Sequence, residues 1–521
     1  MSARREFIAD EHHAPPRTFV VPRAPEAAAA HALAQATHSA LIGEDEVIQT
    51  PYGARKQTYV DYTASGRSLD FIEDYIRSEV LPVYGNTHTI HSHTGFQTTL
   101  FREEARSMVS NAVMAGPQDV TLFAGTGATG AIEKLIRVLD VHGRAEAARL
   151  GAEPTPIVLV CPYAHHSNIL GWQEAGAETV MLPEASDGGV HLGALEAALL
   201  ASWGVRSTDS VFEPDKAAAV TVHDIRAAVQ GAVDGTWSVP EDVKVAACQH
   251  VRSLDSSARA ADAQFENSSS TLASTAPQLQ GDAHREVFSA ISHRMGRLRI
   301  GALSAASNVS GACNPVDLAT ALLRTYGALA VWDYAAAAPH VGIQMNPITP
   351  WMAGGDEGMD AATWPRTRTD VHIDFSRPGI YEKDAIAFSP HKFPGGPGTP
   401  GVLVLKHALL MNKTPSTPGG GTVFFVKKDG SPRYLANEIE RHEGGTPDIV
   451  GAIRAGLVLH LAAQGVGYKV IESLEGAMNT AARQRWSSHP NIRVAGPAAD
   501  TGCPSVGIIS LEILAPAQEG R

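Results

Sequence analysis

One short segment constrains the fold of this chain most strongly. Residues Ala385–Phe388 are apolar, and they run directly into Ser-Pro-His-Lys and a glycine-rich stretch. The apolar run predicts a buried strand, so Lys392 would lie at a strand end that faces a crevice. Desolvation there disfavours the charged amine, and a neutral lysine amine is a nucleophile that can form a Schiff base. The alternative is a solvated lysine in a turn.

A second apolar segment ends in a carboxylate. Residues 328–333 predict a buried strand that ends at Asp333, and Tyr334 and four alanines follow it. Such a carboxylate suits a protonated pyridine nitrogen, which is the role of an Asp in pyridoxal-phosphate enzymes. The alternative is that Asp333 caps the following helix.

A glycine turn between a strand and a helix is the third feature. Residues 119–124 predict a strand, and Gly125-Thr-Gly-Ala-Thr-Gly130 leads from it into a helical pattern. Free backbone N–H groups and the helix dipole at such a turn suit a phosphate, and Thr129 adds a hydroxyl. The spacing also matches G-x-G-x-x-G, so a nicotinamide dinucleotide is the competing ligand.

The next strand favours pyridoxal phosphate over NAD. A dinucleotide fold needs an acidic residue about 20 residues beyond the glycines to bind the ribose. Here the strand over 156–161 leads instead to His165 and His166. A histidine at this strand end could lie flat against an aromatic cofactor ring. A core or solvated histidine is the alternative for either residue taken singly.

These motifs, in this order, resemble those of the class V aminotransferase and cysteine desulfurase family, which are fold-type I pyridoxal-phosphate enzymes. The resemblance covers most of residues 56 to 460. The motifs that carry it are Gly127–Thr129, His165–Asn168, Ser307–Gly311, Asp333 and Ser389–Lys392.

The resemblance implies a set of roles around pyridoxal 5′-phosphate. Lys392 would be the Schiff-base lysine and Asp333 the partner of the pyridine nitrogen. His165 would stack on the ring, and Asn308 would contact its phenolic oxygen. The phosphate contacts would come from Ala128, Thr129, Ser389 and His391. Thr446 matches a loop that reaches the phosphate of the neighbouring subunit, so the resemblance implies a homodimer with shared active sites.

Two departures from the family pattern affect the expected chemistry. The family often places a Gln three residues after the Asp, where this chain has Ala336. A strand predicted at 504–511 would open a small α+β C-terminal domain, which looks incomplete. The arginine for the substrate carboxylate and the sulfur-accepting cysteine are not identified, and Cys503 is not given that role. Either the sequence is a truncated or misannotated product, or the substrate is bound in another way. We expect the first, because a half-built domain leaves apolar strand faces uncovered.

The predicted architecture is α/β, with a mostly parallel sheet flanked by helices and the smaller C-terminal domain. Residues 1–55 predict a Pro/Ala-rich extension with a short helix around 27–40. Residues 56–405 predict the large cofactor-binding domain, and 406–521 the partial small domain. Within the large domain, residues 207–280 predict a low-complexity insertion with some helix and a disordered part, because the composition buries too little to fold tightly.

Composition narrows the class of protein further. The chain has 521 residues and a net charge of −13, which argues against nucleic-acid binding. Its four cysteines have neither zinc nor disulfide spacing, which fits a reducing compartment. No secretory signal and no run of about 18 apolar residues is apparent, so we expect a cytoplasmic protein without a membrane span.

A histidine cluster, His88, His91 and His93, is the one metal candidate. Neither carboxylate nor cysteine accompanies it, so we expect substrate contact or a plain polar loop and no metal.

The sequence therefore predicts a pyridoxal-phosphate-dependent enzyme of the class V aminotransferase type that acts on a small amino acid. The alternatives are β-elimination of the cysteine desulfurase or selenocysteine lyase type, a catalytically impaired cofactor-binding protein, and an NAD-dependent oxidoreductase.

Overall fold

The computed structural model describes residues 27–87, 91–186, 188–254, 297–348, 371–410, 412–496 and 503–515. The strands, in chain order, are β1 (Val47–Thr50), β2 (Gly53–Lys56), β3 (Asp119–Ala124), β4 (Ile157–Val160), β5 (Glu178–Met181), β6 (Arg299–Ser304), β7 (Leu329–Asp333), β8 (Ala385–Phe388), β9 (Gly401–Lys406), β10 (Val423–Val426), β11 (Pro432–Tyr434), β12 (Ile492–Val494) and β13 (Leu511–Ile513).

The α-helices are α1 (Ala27–Ser39), α2 (Asp70–Tyr75), α3 (His93–Ala112), α4 (Gly127–Val138), α5 (Val141–Arg149), α6 (Leu170–Glu174), α7 (Leu192–Ser202), α8 (Val222–Val233), α9 (241–254), α10 (Val316–Thr325), α11 (Glu438–His442), α12 (Ile449–His460) and α13 (Tyr468–Ser487). Wider π-helical turns extend α2 through Ile76–Val80 and α12 through Leu461–Val466.

Seven strands form the central sheet, in the order β3-β9-β8-β7-β6-β4-β5. The pairs from β8 across to β5 are parallel. Strand β9 runs antiparallel to both of its neighbours, β8 and β3, so it alone opposes the direction of the other strands in this sheet. The prediction of a mostly parallel sheet in an α/β chain is confirmed.

Helices cover both faces of the sheet because its strands are apolar at consecutive positions. Successive side chains of a strand point to opposite faces. In β4, Ile157 and Leu159 join the core cluster beneath α3, α7, α10 and α12, whereas Val158 and Val160 join the cluster beneath α4, α5 and α6. Each fully buried aliphatic side chain stabilises the fold by roughly 1.5–3 kcal/mol, so neither face tolerates exposure.

The sheet register brings the predicted site residues to one edge. Strand β7 ends at Asp333, which pairs with Ser304 of β6 and Ala387 of β8. Ser389 follows β8 directly and leads into a 3-10 turn, Pro390–Lys392. Because the carboxyl ends of parallel strands meet at the same edge, the side chains that follow them share one crevice.

The first half of the predicted 207–280 insertion is packed into the core. Helix α8 lies on α7, and its residues Ile225 and Ala228 are fully buried, as is Ala247 in α9. Residues 222–254 supply the helix that the sequence predicted within this segment, and they pack more tightly than the composition had suggested. Apolar residues three and four positions apart, such as Ile225, Ala228 and Val229, give these helices a buried face. Residues 255–296 lie outside the described residues.

The two ends of the chain correct one prediction and confirm another. Helix α1 confirms the helix expected near residues 27–40. The strand expected at 504–511 is instead the short β13, Leu511–Ile513, which pairs with β12. Upstream of it, Ser505 makes an isolated bridge to Ala312. Pro504 and Gly507 explain the difference, because both residues disfavour continuous strand pairing.

One helical segment, Ile449–Val466, is long and apolar enough to cross a membrane, although the sequence had suggested no such stretch. Within the fold, 72% of this segment is buried. It packs against α3 as a core helix, and that packing accounts for its apolar character.

Candidate active site

A cleft of about 410 Å³ opens at the carboxyl edge of the sheet. Of the nine residues that the sequence assigned to the site, eight line this cleft and Thr446 does not. The eight are Ala128, Thr129, His165, Asn308, Asp333, Ser389, His391 and Lys392. Residues separated by more than 250 positions in the sequence therefore converge, although their individual roles stay predictions.

Lys392 and Asp333 form the charged centre of the cleft. Asp333 is buried, and its Oδ1 accepts a hydrogen bond of 2.8 Å from the backbone N–H of Ala335. Burial raises the pKa of the Asp333 carboxyl, against the opposing effects of that N–H, Lys392 and His165. Burial lowers the pKa of the Lys392 amine, against the attraction of Asp333 and Asp61. The cleft thus increases the neutral fraction of a lysine that lies near a buried carboxyl group.

The helix-cap alternative for Asp333 accounts for only part of its surroundings. Its bond to Ala335 holds the turn that follows β7, as a capping carboxylate would. In the described residues this turn does not open an α-helix, because residues 335–340 form turns. The Asp333 side chain also lines the cleft.

The glycine turn packs directly on the segment that bears the lysine. The backbone N–H of Ala128 donates to Ser389 Oγ at 2.8 Å. Gly127 has a φ of +57°, and a Cβ there would lie 2.8 Å from His391 Cε1 and 2.9 Å from Ser389 Oγ. Only glycine fits this position without strain. The turn, Ser389 and His391 therefore form one concave wall at the start of α4.

His165 and Thr129 meet across the opposite side of the turn. Ser167 links them, because its backbone N–H donates to His165 Nδ1 at 3.3 Å and its Oγ accepts from Thr129 Oγ1 at 2.8 Å. With Nδ1 acting as an acceptor, a neutral His165 carries its proton on Nε2. His166 does not line the cleft, so the structure distinguishes the two histidines.

Asn308 is held in a tight turn that follows β6. The Oγ of Ser307 accepts from the backbone N–H groups of Val309 and Ser310, each at 3.2 Å. Side-chain oxygens of serine stabilise turns in this way. The turn that carries Asn308, the residue predicted to contact the cofactor ring, is therefore fixed by hydrogen bonds within the protein.

Thr446 lies on an exposed loop outside the cleft. Its Oγ1 accepts from Asn86 Nδ2 at 3.4 Å. The prediction that Thr446 serves a neighbouring subunit concerns an assembly, so it stays a prediction.

Sequence reasoning missed the segment that closes the cleft from the N-terminal side. Asp61, Thr63 and Ala64 line the cleft, and the Gly66 N–H donates to the carbonyl oxygen of His391 at 2.8 Å. Nothing in the local pattern indicates this contact, because it depends on tertiary packing. Ser304 was also missed. Ser304 is buried and lines the cleft beside Cys161.

A second cavity of about 290 Å³ adjoins the first, and Lys392 lines both. Helices α1, α12 with its π-helical extension, and α13 supply mainly apolar residues to it, including Val458, Leu474 and Met478. Its main polar feature is His340, whose Nδ1 lies 2.8 Å from both carboxylate oxygens of Glu475.

The histidine cluster is only partly visible, because His88 lies outside the described residues. His91 and His93 are exposed at the start of α3. Among the described residues, no group of three or more His, Cys, Asp or Glu side chains is arranged to hold a metal ion.

Comparison with known proteins relates this chain to one family of enzymes. The model of the aminotransferase class-V family matches residues 369–519. A probable cysteine desulfurase of Halalkalibacterium halodurans is 23% identical over 448 residues, which cover 84% of this chain and 74% of the relative. Relatives from Mycobacterium leprae and Chlamydia muridarum, named probable cysteine desulfurase 2 and probable cysteine desulfurase, are 28% and 30% identical, each over 39% of this chain.

This chain aligns with only 39% and 41% of the length of the latter two relatives. In fold it is similar to a cysteine desulfurase of Thermococcus onnurineus, with a TM-score of 0.53, 16% identity and coverage of 96% of this chain and 84% of the other. The chain is thus similar to members of the class V aminotransferase and cysteine desulfurase-like family, and its fold is that of the fold-type I enzymes.

Enzymes of this family use pyridoxal 5′-phosphate, and the residues of the cleft fit that group. The start of α4, the left-handed backbone of Gly127 and the hydroxyl groups of Thr129 and Ser389 form a surface that suits the phosphate anion. A buried carboxyl group, Asp333, suits a cationic ring nitrogen, and an amine of lowered pKa, Lys392, suits an aldehyde.

Proposed function

We propose that this chain is a pyridoxal-phosphate-dependent enzyme that acts on a small amino acid, with cysteine desulfuration as the favoured reaction. One observation carries the proposal: Lys392 and Asp333 lie in the same cleft as the glycine turn. The nicotinamide alternative rests on the glycine spacing alone and explains neither residue.

The bound cofactor would supply an electron sink for the carbon next to the substrate amine. Lys392 Nζ would hold the cofactor covalently and, once released, would move the proton at that carbon. Its lowered pKa favours the neutral amine that both tasks require. Asp333 would keep the ring nitrogen protonated. His165 would lie against the ring, and Asn308 would reach its phenolic oxygen.

The concave wall formed by the glycine turn, Ser389 and His391, here called the anion-binding wall, would fix the phosphate. His391 carries less positive charge than an exposed histidine, because burial and Lys392 lower its pKa. The phosphate site would therefore rely on hydrogen-bond donors such as the Ser389 hydroxyl, the start of α4 and the Thr129 hydroxyl once it turns away from Ser167. The Ala128 N–H is engaged by Ser389, so Ala128 would act by positioning that hydroxyl. Thr446 of each subunit would complete the phosphate site of the other in a homodimer.

The names of the relatives favour desulfuration over transamination. No cysteine lines the cleft within the described residues, which include all four cysteines of the chain. Cys503 lies beside the Cys313 carbonyl oxygen, with Sγ 3.9 Å from it. Sulfur would consequently pass to a thiol acceptor from outside the cleft lining. Transamination is the second candidate, because the same lysine and carboxylate serve it.

The absorption spectrum of the protein loaded with pyridoxal phosphate tests the proposal. We expect a visible band that resists dialysis in the wild type and is lost in Lys392→Ala. Added cysteine with a thiol reductant should then release sulfide, whereas alanine with a keto acid should yield little product. Keto-acid transfer without sulfide would favour transamination. A wild-type protein that acquires no band would refute the cofactor assignment.

A further inference from the structure

The loop that carries Thr446 begins beside a buried carboxylate that the proposed reaction does not use. The side chain of Glu443 is 3% exposed. Arg102 and Arg106 of α3 both donate to its Oε2, from Nη2 atoms at 2.6 and 2.8 Å. Although burial alone would raise the pKa of Glu443, these two arginines lower it to about 2. Glu443 is therefore an ionised residue inside the protein.

The same carboxylate binds the strand that leads into the glycine turn. The backbone N–H of Phe123 donates to Glu443 Oε1 at 2.6 Å. Arg106 Nη1 bridges that oxygen, at 3.0 Å, and the carbonyl oxygen of Thr121, at 2.7 Å. Phe123 lies two residues before Gly125, so Glu443 is fixed to β3 close to the anion-binding wall.

A second contact joins His442, the residue before Glu443, to helix α4 on the far side of the glycine turn. Lys134 of α4 donates from Nζ to the carbonyl oxygen of His442, and to Ser416 Oγ at 3.1 Å. Helix α4 begins at Gly127, within the glycine turn. Both elements that flank the turn, β3 and α4, therefore hold residues 442 and 443.

The loop beyond Glu443 is also fixed. The backbone N–H of Gly445 donates to the Gly420 carbonyl oxygen at 2.7 Å, and Asn86 donates to Thr446 Oγ1 at 3.4 Å. Gly444 packs so closely that an added Cβ would lie 2.4 Å from Thr422 Cγ2. Only Gly444 and Gly445 separate Glu443 from Thr446. Gly444 is closely packed and Gly445 is hydrogen-bonded to Gly420, so this short connection has little slack to absorb a displacement at Glu443.

We propose that Glu443 is a positioning residue that holds the Thr446 loop in fixed relation to the glycine turn. One buried carboxylate then orders phosphate-binding groups for two sites: the turn serves its own subunit and the loop serves the other. This inference rests on the proposed function, in which Thr446 reaches the cofactor of the second subunit. Glu443 itself touches neither cofactor nor substrate.

Affinity for pyridoxal phosphate, measured by titrating the apoprotein, tests the inference without recourse to activity. Glu443→Gln keeps the shape but removes the charge that both arginines bind, so we expect cofactor affinity to fall about tenfold or more. Thr446→Ala should weaken affinity as well. The double variant should bind no more weakly than the poorer single variant, because Glu443 acts through Thr446.

Glu438→Gln is the matched control. It lies in α11, five residues upstream, and its carboxylate pairs with Arg441 at 3.0 Å. We expect this variant to keep wild-type affinity. An equal loss of affinity in Glu438→Gln would overturn the assignment, since any ion pair in this region would then suffice. Additive losses in Glu443→Gln and Thr446→Ala would overturn it too.

Glu443→Gln leaves two buried arginines without their carboxylate, so thermal unfolding of each apoprotein accompanies the titration. A less stable variant with unchanged affinity would show a purely structural role and refute the inference. If Glu443→Gln does not fold, Lys134→Met replaces it, because that substitution breaks the contact between Lys134 and the His442 carbonyl oxygen. Unchanged cofactor affinity in Lys134→Met would then refute the inference. If wild-type protein acquires no visible absorption band with pyridoxal phosphate, by contrast, the proposed function itself is refuted.

Discussion

The two cavities that meet at Lys392 are built in different ways. The first lies at strand ends, where β7 carries Asp333 and the turn that follows β8 carries Ser389 and Lys392. The second lies between helices α1, α12 and α13, and its lining is mostly apolar. Polar groups held by a sheet suit chemistry that needs fixed geometry, whereas helix faces tolerate changes of size. We therefore expect substitutions in the first cavity to affect cofactor and rate, and those in the second to affect substrate preference.

Asp333→Asn should show the largest effect of the variants considered in this comparison. The amide keeps the oxygen that accepts from Ala335, so the turn should persist. Removing one partner of a buried charged pair costs about 3–5 kcal/mol, which corresponds to a rate loss of more than about 100-fold. Steady-state kcat/KM of the cofactor-loaded variant is the measurement. A rate within threefold of wild type would place the ring nitrogen elsewhere.

Gly127→Ala should have the next largest effect. Its φ of +57° and the 2.8 Å approach of His391 Cε1 leave no room for a Cβ. Strain in the left-handed region costs roughly 1–2 kcal/mol, so we expect cofactor affinity to fall about tenfold. Gly125→Ala, in the same turn, is the matched control because its Cβ would meet nothing within 4 Å. Equal affinities in the two variants would contradict the proposal that the anion-binding wall fixes the phosphate.

The sequence predicted the first cavity better than the second for a physical reason. Apolar runs reveal strands, and residues at or just beyond the carboxyl ends of parallel strands must lie at the shared edge. That rule identified Asp333, which ends β7, and Lys392, which lies four residues beyond β8. Asp61 escaped prediction because its place depends on packing of the Gly66 N–H against the His391 carbonyl oxygen. The second cavity arises between helices distant in sequence. Periodicity identifies the buried face of a helix without identifying its partner.

Burial of Lys392 should also make apoprotein stability depend on pH. Its pKa lies below 10.5 in the folded protein, so between the folded value and 10.5 the unfolded chain binds more protons. Stability gained from this group therefore rises with pH across that window. We expect Lys392→Met to be more stable than wild type near neutral pH, and the difference to shrink as pH approaches 10.5. Denaturant unfolding at several pH values measures this.

The control for that experiment is Lys427→Met, which removes one positive charge from an exposed position next to β10. A difference between wild type and Lys392→Met that stays constant with pH would contradict burial as the cause. The same result would weaken the argument that the cleft prepares a neutral amine.

The smallest effect on the cofactor should come from filling the second cavity. Leu474 of α13 lines it and is 39% exposed, so Leu474→Phe can add volume without forcing a rearrangement of the core. We expect cofactor affinity to stay within about twofold of wild type, because no sheet-edge group moves, and KM for the amino acid to change more than kcat. A loss of cofactor affinity as large as that expected for Gly127→Ala would show that a change in the second cavity is transmitted to the first. Unchanged kinetics for every amino acid tested would instead show that the second cavity takes no part in substrate selection. Lys392 would then be a lining residue of both cavities and would function in the first alone.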